Sequence, residues 1–319
     1  MSRPGPGAAG ALPVGLSVAV KVPATTANLG PGLDTLGLAL ALYDELEVTV
    51  RAEPGAHVEV HGVGEGSVEV DESNLVVRSI AATFAACGQP VPGLDLVARN
   101  AIPHGRGLGS SGAAIVAGVM AAKGLLEGVV DIDAEGLLAV ATELEGHPDN
   151  VAPALFGGLT IAWMTPEGPA AKKLIVHRGV SPLVLVPAAT MSTKLARSLS
   201  PESVPHEDAI FNVSRSALLV AALTQSPELL LAATEDRLHQ SYRASAMVDT
   251  DALIRLLRGH GLAAVLSGAG PSVLVLASDP AERQLAVELV ESESATPWQA
   301  LMLAVDFRGA TVTVRPVEV

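Results

Sequence analysis

The chain has 319 residues, room for two domains of ordinary size. Hydrophobic residues make up 49% and charged residues 17%, which excludes global disorder and supplies a sizeable core. Acidic residues outnumber basic ones 34 to 20, a formal charge of −14; this argues against nucleic acid or an anionic membrane as partner, since both are bound through lysine and arginine.

Residues 1–13 read as a flexible tail. Arg3 and the mostly apolar stretch after Ala8 have the outline of a signal peptide, but Pro4, Pro6 and Pro13 interrupt it and Lys21 ends it without a cleavage site. A strand is predicted over 16–22, running into a loop over 23–32 that is rich in glycine and proline. Leu46, Val48 and Val50 alternate with Glu45, Glu47 and Thr49, the pattern of a half-buried strand. Short strands are expected over 57–60 and 68–70, a helix over 74–86 that stops near Gly88 and Pro90, and a strand over 94–98. The one cysteine, Cys87, excludes a disulfide framework within the chain and reads as a small buried hydrophobe. A glycine-rich loop precedes an alanine-rich helix over 110–126, and Asp133 caps a helix that runs to about Glu145.

Residues 165–169 read as a turn or linker, so the domains are placed at 14–165 and 166–319. In the second half, strands are predicted at 174–176 and 183–186 and helices at 193–198, 207–223 and 249–258. Strands at 263–266 and 273–276, a helix at 281–291 and strands at 301–305 and 311–314 follow. Strands and helices alternate but helices also cluster, which favours an α+β fold over a regular doubly wound sheet. No apolar run of about 18 residues occurs, so no membrane-spanning helix is predicted and the cytoplasm is the expected compartment.

The most informative stretch is the loop from Pro103 to Ala114. Its glycines let the backbone approach a ligand closely. Ser110 and Ser111 stand where a helix begins, with its unpaired N–H groups directed outward. An acidic protein can hold a polyphosphate there with backbone dipoles instead of net charge. The loop is not a Walker A motif, because no Lys-Ser/Thr pair follows its last glycine. Gly107, Gly109 and Gly112 do fit G-x-G-x-x-G, with Asp131 near the acidic position of a dinucleotide fold. Against that reading, residues 103–106 separate the glycines from the strand, and Val129-Val130 is too short for the second strand.

Three further stretches accompany the loop: 23–37 with Asn28 and Asp34, 143–153 with Glu145, His147, Asp149 and Asn150, and the glycine turn 266–273. Taken in order, Pro23-Ala24-Thr25-Thr26-Ala27-Asn28-Leu29-Gly30-Pro31-Gly32-Leu33-Asp34, Gly107-Leu108-Gly109-Ser110-Ser111 and Ser267-Gly268-Ala269-Gly270-Pro271-Ser272 resemble the three motifs of the GHMP kinase superfamily. Within it the chain resembles the homoserine kinase family through His147-Pro148-Asp149-Asn150-Val151-Ala152-Pro153, Ser192-Thr193-Lys194 with Arg197, and His239-Gln240-Ser241-Tyr242-Arg243. Leu33 stands where that family often has an aromatic residue, and no insertion separates Gly146 from His147.

The resemblance implies a ribosomal-S5-like N-terminal domain, a ferredoxin-like C-terminal domain, and a homodimer. It implies ATP-dependent phosphorylation of L-homoserine to O-phospho-L-homoserine on the route to threonine, with ATP and Mg²⁺ as cofactors. Pro103, His104, Gly105, Arg106, Gly107, Leu108, Gly109, Ser110 and Ser111 would wrap the ATP phosphates, with Asn74 at the adenine. Ser110 and Glu145 would hold Mg²⁺ through oxygen, the donor it prefers. Arg197 and Arg243 would pair with the substrate carboxylate through their planar forks. Thr193 lies four residues before Arg197, on the same helix face. Asp34 would face the ammonium with His147 and Asn150 nearby, and Asn28 would hold the reacting hydroxyl. Asn28 and Arg243 are the expected catalytic pair, and no Asp–Lys pair offers a base, so the γ-phosphate is expected to take the proton. Two alternatives remain at this level: a kinase for another small alcohol such as mevalonate or a sugar, and a nucleotide-binding regulator without turnover.

Overall fold

The protein is described here from a computed structural model covering residues 12–315 and 317; the expected tail, Leu12 and Pro13 apart, lies outside the described residues. The chain opens with a long antiparallel hairpin of β1 (Ser17–Asn28) and β2 (Gly32–Arg51). Val18 opposes Val48 and Val20 opposes Leu46, so the alternating valines and leucines of both strands turn one apolar face to the core. Strand β3 (Ala56–Gly62) runs parallel to β4 (Gly93–Asn100), so the chain must cross over between them, which it does through α1 (Leu75–Ala86). Next come α2 (Ser110–Leu125), α3 (Ala134–Glu145) and α4 (Pro148–Phe156), then the hairpin β5 (Leu159–Thr165) and β6 (Gly168–Leu174). α2 is buried almost all round, and its glycines allow close approach: a side chain at Gly118 would strike the Val76 carbonyl and Ser79 of α1.

The second sheet begins at β7 (Ser181–Pro187). It is followed by α5 (Thr193–Ser198), α6 (His206–Thr224), α7 (Leu230–Ala233), α8 (Gln240–Arg243) and α9 (Val248–Gly259). Then come β8 (Ala264–Leu266), β9 (Val273–Ala277), α10 (Pro280–Glu293), β10 (Trp298–Met302) and β11 (Thr311–Arg315). The sheet is antiparallel in the order β10-β7-β9-β8. Its strands are apolar on both sides because both are covered. Leu183, Leu185, Val273 and Val275 pack on Leu253 and Leu257 of α9 and Leu289 of α10. Val184, Val186, Leu274 and Leu276 join the main core with Leu219 and Leu223 of α6.

The first sheet has the order β11-β1-β2-β4-β3, with β5 paired to β2 and β6 to β5. The architecture is α+β, as the clustering of helices suggested. Residues 165–169, expected to link two domains, instead form the β5–β6 turn, with Gly168 at φ 136°, and the chain leaves the first sheet only after Leu174. The C-terminal strand β11 returns to pair with β1, so the first sheet is completed from the far end of the chain. Residues 68–70, expected as a strand, form no ladder, although the Val70 carbonyl accepts from Val58 N–H. Of residues 174–176, expected as a new strand, Leu174 ends β6 and the other two lie in no strand, and the strand expected at 301–305 instead spans Trp298–Met302.

Candidate functional site

The three glycine-bearing motifs meet because each satisfies backbone groups of the next. At the end of β1 the chain leaves regular pairing through register shifts after Pro23 and after Ala27. Among the described residues the non-glycine positions with positive φ all fall just beyond: Asn28 at 71°, Leu29 at 50° and Asp34 at 53°. Such conformations persist where the surroundings hold them. Here Asn28 Nδ2 donates to Gly268 O at 2.9 Å, and Asn28 Oδ1 accepts from Asp34 N at 3.0 Å. The phosphate loop is tied in by Thr25 N–H to Leu108 O at 3.1 Å and by Ser267 Oγ, which donates to Gly107 O at 2.7 Å. Gly107 and Gly109 sit at φ 72° and 69°, and a side chain on either would run into Ser267 O or Thr25 Oγ1. Glycine is therefore required at both for conformation and for space.

These loops form one wall of a cleft of about 190 Å³ between the two sheets. Asn28, Asp34, Gly105, Gly107, Gly109, Ser110, Ser111, Glu145, His147, Asn150, Arg197 and Arg243 line it. An adjoining, more apolar cavity of about 260 Å³ shares Ser110 and Ser111 with it. Its walls include Leu46, Val58, Val60, Val68, Asn74, Leu75, His104 and Ala117 and are mostly aliphatic. Asn74 lies there as the N-cap of α1: its Oδ1 accepts from Val76 N–H and its Nδ2 donates to Glu69 O.

Within the loop 103–111 the roles divide. His104 lines the apolar cavity, whereas Pro103, Arg106 and Leu108 line neither. Leu108 is fully buried in the core. The loop was expected to wrap the phosphates with its N–H groups, and the Arg106 side chain is engaged elsewhere: Nε donates to Pro187 O, Nη1 to His104 O and Nη2 to Ala188 O, at 2.9, 3.1 and 2.9 Å. A guanidinium with three carbonyl partners has been drawn to the backbone carbonyls at the end of β7.

The opposite corner comes from the break between α3 and α4. Gly146 ends α3 at φ 92°, and Pro148 restarts a helix at N1, where a missing N–H costs nothing. The abrupt turn sets Glu145, His147, Asp149 and Asn150 side by side. Glu145 Oε2 accepts from Ser111 Oγ at 2.9 Å, so the structure pairs this carboxylate with Ser111; Ser110, expected beside it, lines the same cleft. Burial pushes the Glu145 carboxyl above the usual range. His147 Nδ1 pairs with the carboxylate of Asp149, which is only 2% exposed, and this contact holds the imidazole pKa above its ordinary value. Asn150 Oδ1 accepts from Thr25 Oγ1 at 3.3 Å. Asp149 was not among the expected site residues, yet it lines the cleft with Met191, Ser192 and Ala269. Its place two residues after His147 was the available signal.

The donor set fits Mg²⁺. Glu145, at the end of α3, and Ser110 and Ser111, at the start of α2, line one cleft and offer the hard oxygen donors that ion prefers. No group of three or more His, Cys, Asp or Glu among the described residues forms a ready metal cage. A divalent ion there would take its other ligands from phosphate and water.

The two arginines differ. Arg197 on α5 is half exposed, and its Nη2 bonds Asp34 Oδ1 at 2.8 Å, their side chains 42% and 50% accessible. Arg243 is 3% exposed, and its Nε and Nη1 have no hydrogen-bond partner among the described residues. A surface role for Arg243 is excluded. A buried guanidinium that lines a cleft and has unpartnered donors suits an incoming anion, and burial lowers its pKa against the neighbouring Asp34. Arg243 ends α8, which is four residues long and stands because other groups hold it. Asp236 accepts the N–H groups of Leu238, His239 and Gln240. Gln240 Oε1 accepts from Leu266 N–H at 2.7 Å, and buried His239 donates from Nε2 to Gly30 O at 2.7 Å. The Thr193 backbone opens α5, but its side chain lies outside the described residues.

The cleft thus joins a glycine loop at a helix start, a carboxylate–hydroxyl pair and a buried arginine. The models for the GHMP kinases N terminal domain and the GHMP kinases C terminal domain match residues 74–158 and 218–293. The chain is 76% identical to the homoserine kinase of Leifsonia xyli subsp. xyli, covering 93% of this chain and 92% of that one. It is 74% identical to the homoserine kinase of Clavibacter michiganensis subsp. michiganensis, over 95% and 96% of the two chains. Among solved structures, homoserine kinase from Cytophaga hutchinsonii superposes with a TM-score of 0.83 at 27% identity, covering 93% of this chain and 97% of that one. The chain belongs to the homoserine kinase family.

Proposed function

We propose that the protein transfers the γ-phosphoryl group of ATP to the side-chain hydroxyl of L-homoserine, releasing ADP and O-phospho-L-homoserine, a step towards threonine. The observation that carries this reading is buried Arg243, which lines the same cleft as Asp34, Arg197 and the glycine loop and whose Nε and Nη1 have no hydrogen-bond partner among the described residues. An amino acid with a carboxylate, an ammonium and a hydroxyl has complementary groups on each side of that cleft.

Phosphoryl transfer asks mainly for positioning and charge neutralisation. The N–H groups at the start of α2 and in the glycine loop would cradle the phosphates, and the adenine would lie in the apolar cavity beside Asn74 and Leu75. Glu145 with Ser110 or Ser111 would hold Mg²⁺, which when bound neutralises charge on the β- and γ-phosphates. Arg243 and Arg197 would take the α-carboxylate and Asp34 the ammonium, with His147 and Asn150 beside it. In that arrangement the substrate exchanges partners with the Arg197–Asp34 pair, each side chain leaving its mate for the opposite charge on the ligand.

Asn28 has one amide N–H and one lone pair still free after its bonds to Gly268 and Asp34. With these it would orient the reacting hydroxyl. The hydroxyl oxygen forms its bond to γ-phosphorus as the bond to the β-bridging oxygen breaks. No lysine lines the cleft among the described residues, and the hydroxyl proton passes to a γ-phosphate oxygen. A homodimer is also expected.

The test is ADP release by the purified protein with ATP, Mg²⁺ and, in turn, homoserine, mevalonate, galactose or no acceptor. Release only with homoserine is the expected result. Turnover of mevalonate or galactose in its place would support the other kinase reading, and none with any acceptor would support a regulator.

A further inference from the structure

The structure assigns Arg106 a role that neither substrate site explains: it is a positioning residue that couples the nucleotide loop to the loop and helix carrying Arg197. Arg106 lies within the glycine loop but lines neither cavity. Its guanidinium bridges two segments, donating to the loop's own His104 carbonyl and to the carbonyls of Pro187 and Ala188, where β7 ends. A second link runs alongside, from Met191 N–H to Gly105 O at 2.8 Å. One residue beyond Met191, Ser192 caps α5 by accepting from Leu195 N–H, and α5 presents Arg197 to Asp34. A short run of chain, 187–197, thus connects the guanidinium of Arg106 to that of Arg197.

Three charge-assisted bonds to main-chain carbonyls fix a geometry more firmly than a lysine could, because the guanidinium fork is planar and carries several donors. Whatever orders residues 104–107 against phosphates also orders the end of β7 and the start of α5. By linkage, nucleotide binding then tightens binding at the Arg197–Asp34 end, and the reverse holds by the same factor. The two halves of the cleft, built on different sheets, are bound by this device into one cooperative unit.

The inference rests on the homoserine reading, and its test separates the two. Calorimetric titration measures the affinity of the intact protein for homoserine with and without a non-hydrolysable ATP analogue and Mg²⁺. The native protein is expected to bind homoserine about 5-fold or more tightly with the nucleotide present. Arg106→Ala is expected to bring that ratio close to 1, and Arg106→Lys, which keeps the charge but not the fork, to leave it between the two. A residue that only supported the fold would weaken both binary affinities and leave the ratio intact. That result, or a native ratio of 1, overturns the inference. Should Arg106→Ala fail to fold, the ratio in Arg106→Lys decides: unchanged from the native value, it overturns the coupling role. Failure of the native protein to bind homoserine at all overturns the substrate reading instead.

Discussion

Arg243 and Arg255 are both helical arginines, and their surroundings make them opposites. Arg243 is buried with unpartnered nitrogens, whereas Arg255 is 76% exposed and pairs with Asp251 one helical turn away at 2.8 Å. Arg243→Ala should leave a substrate carboxylate underpaired in a desolvated site, a loss of about 2–5 kcal/mol, or roughly 30-fold to a few thousand-fold in kcat/KM for homoserine. ATP affinity should hardly change. Arg255→Ala should match the parent in kcat/KM; steady-state kinetics on both variants checks the pair. The His147–Asp149 contact makes a different prediction, about pH. His147 has a folded-state pKa above its ordinary 6.5, raised first by its bond to Asp149. The stability from that pairing is full below the unfolded value and is lost as pH rises through the folded one. Thermal melting of the protein and Asp149→Asn across this range should show the largest gap in Tm at the acid end, narrowing as pH rises. A gap that widened with pH would mean that the pair does not favour the charged imidazole.

At the scale of elements, α2 starts and α3 ends at glycines that differ in how much space surrounds them. Gly109 and Gly146 both have left-handed backbones, but a side chain at Gly109 meets Thr25 while at Gly146 it meets nothing within 4 Å. Gly146→Ala should therefore cost only about 1–2 kcal/mol of backbone strain, a few degrees in Tm. Gly109→Ala should also displace the loop from Thr25 and abolish the rise in Tm that ATP with Mg²⁺ gives the parent. Differential scanning fluorimetry of both variants, with and without nucleotide, checks this. Periodicity made the regular elements legible: helices 193–198 and 249–258 and the cap at Asp133 lie where sequence placed them, to within a residue. Less legible was 23–32, read as a loop from its glycines and prolines. Residues 23–28 instead continue β1, because Thr25 and Thr26 are buried and paired with Ala39 and Leu38. Helix α4 was hidden by Pro148 and Pro153, residues that read as breakers unless the first is recognised as an N1 proline. Motif spacing brought most cleft residues into view. It could not show that the Arg106 side chain faces away, since a loop arginine among phosphate-binding glycines has no pattern to mark its direction.

For the whole molecule, the pairing of β11 with β1 and of β5 with β6 means that the first sheet draws on residues well past 165. A chain ending at Thr165 would leave β1 and β5 with open edges and strip the cover from Val18 and Leu159. It should show no cooperative thermal transition, whereas the full chain should; calorimetry on the two decides. Among the described residues no helix is long and apolar enough to cross a membrane. The central claim is that this two-sheet cleft phosphorylates an amino acid held by its carboxylate. The most direct test compares kcat/KM for homoserine with that for the amino alcohol of the same length lacking the carboxylate, in the parent and in Arg243→Ala. The account predicts a strong preference for homoserine in the parent and a much smaller one in the variant. An equal preference in both would show that Arg243 does not read the carboxylate, and no preference in the parent would contradict the claim itself.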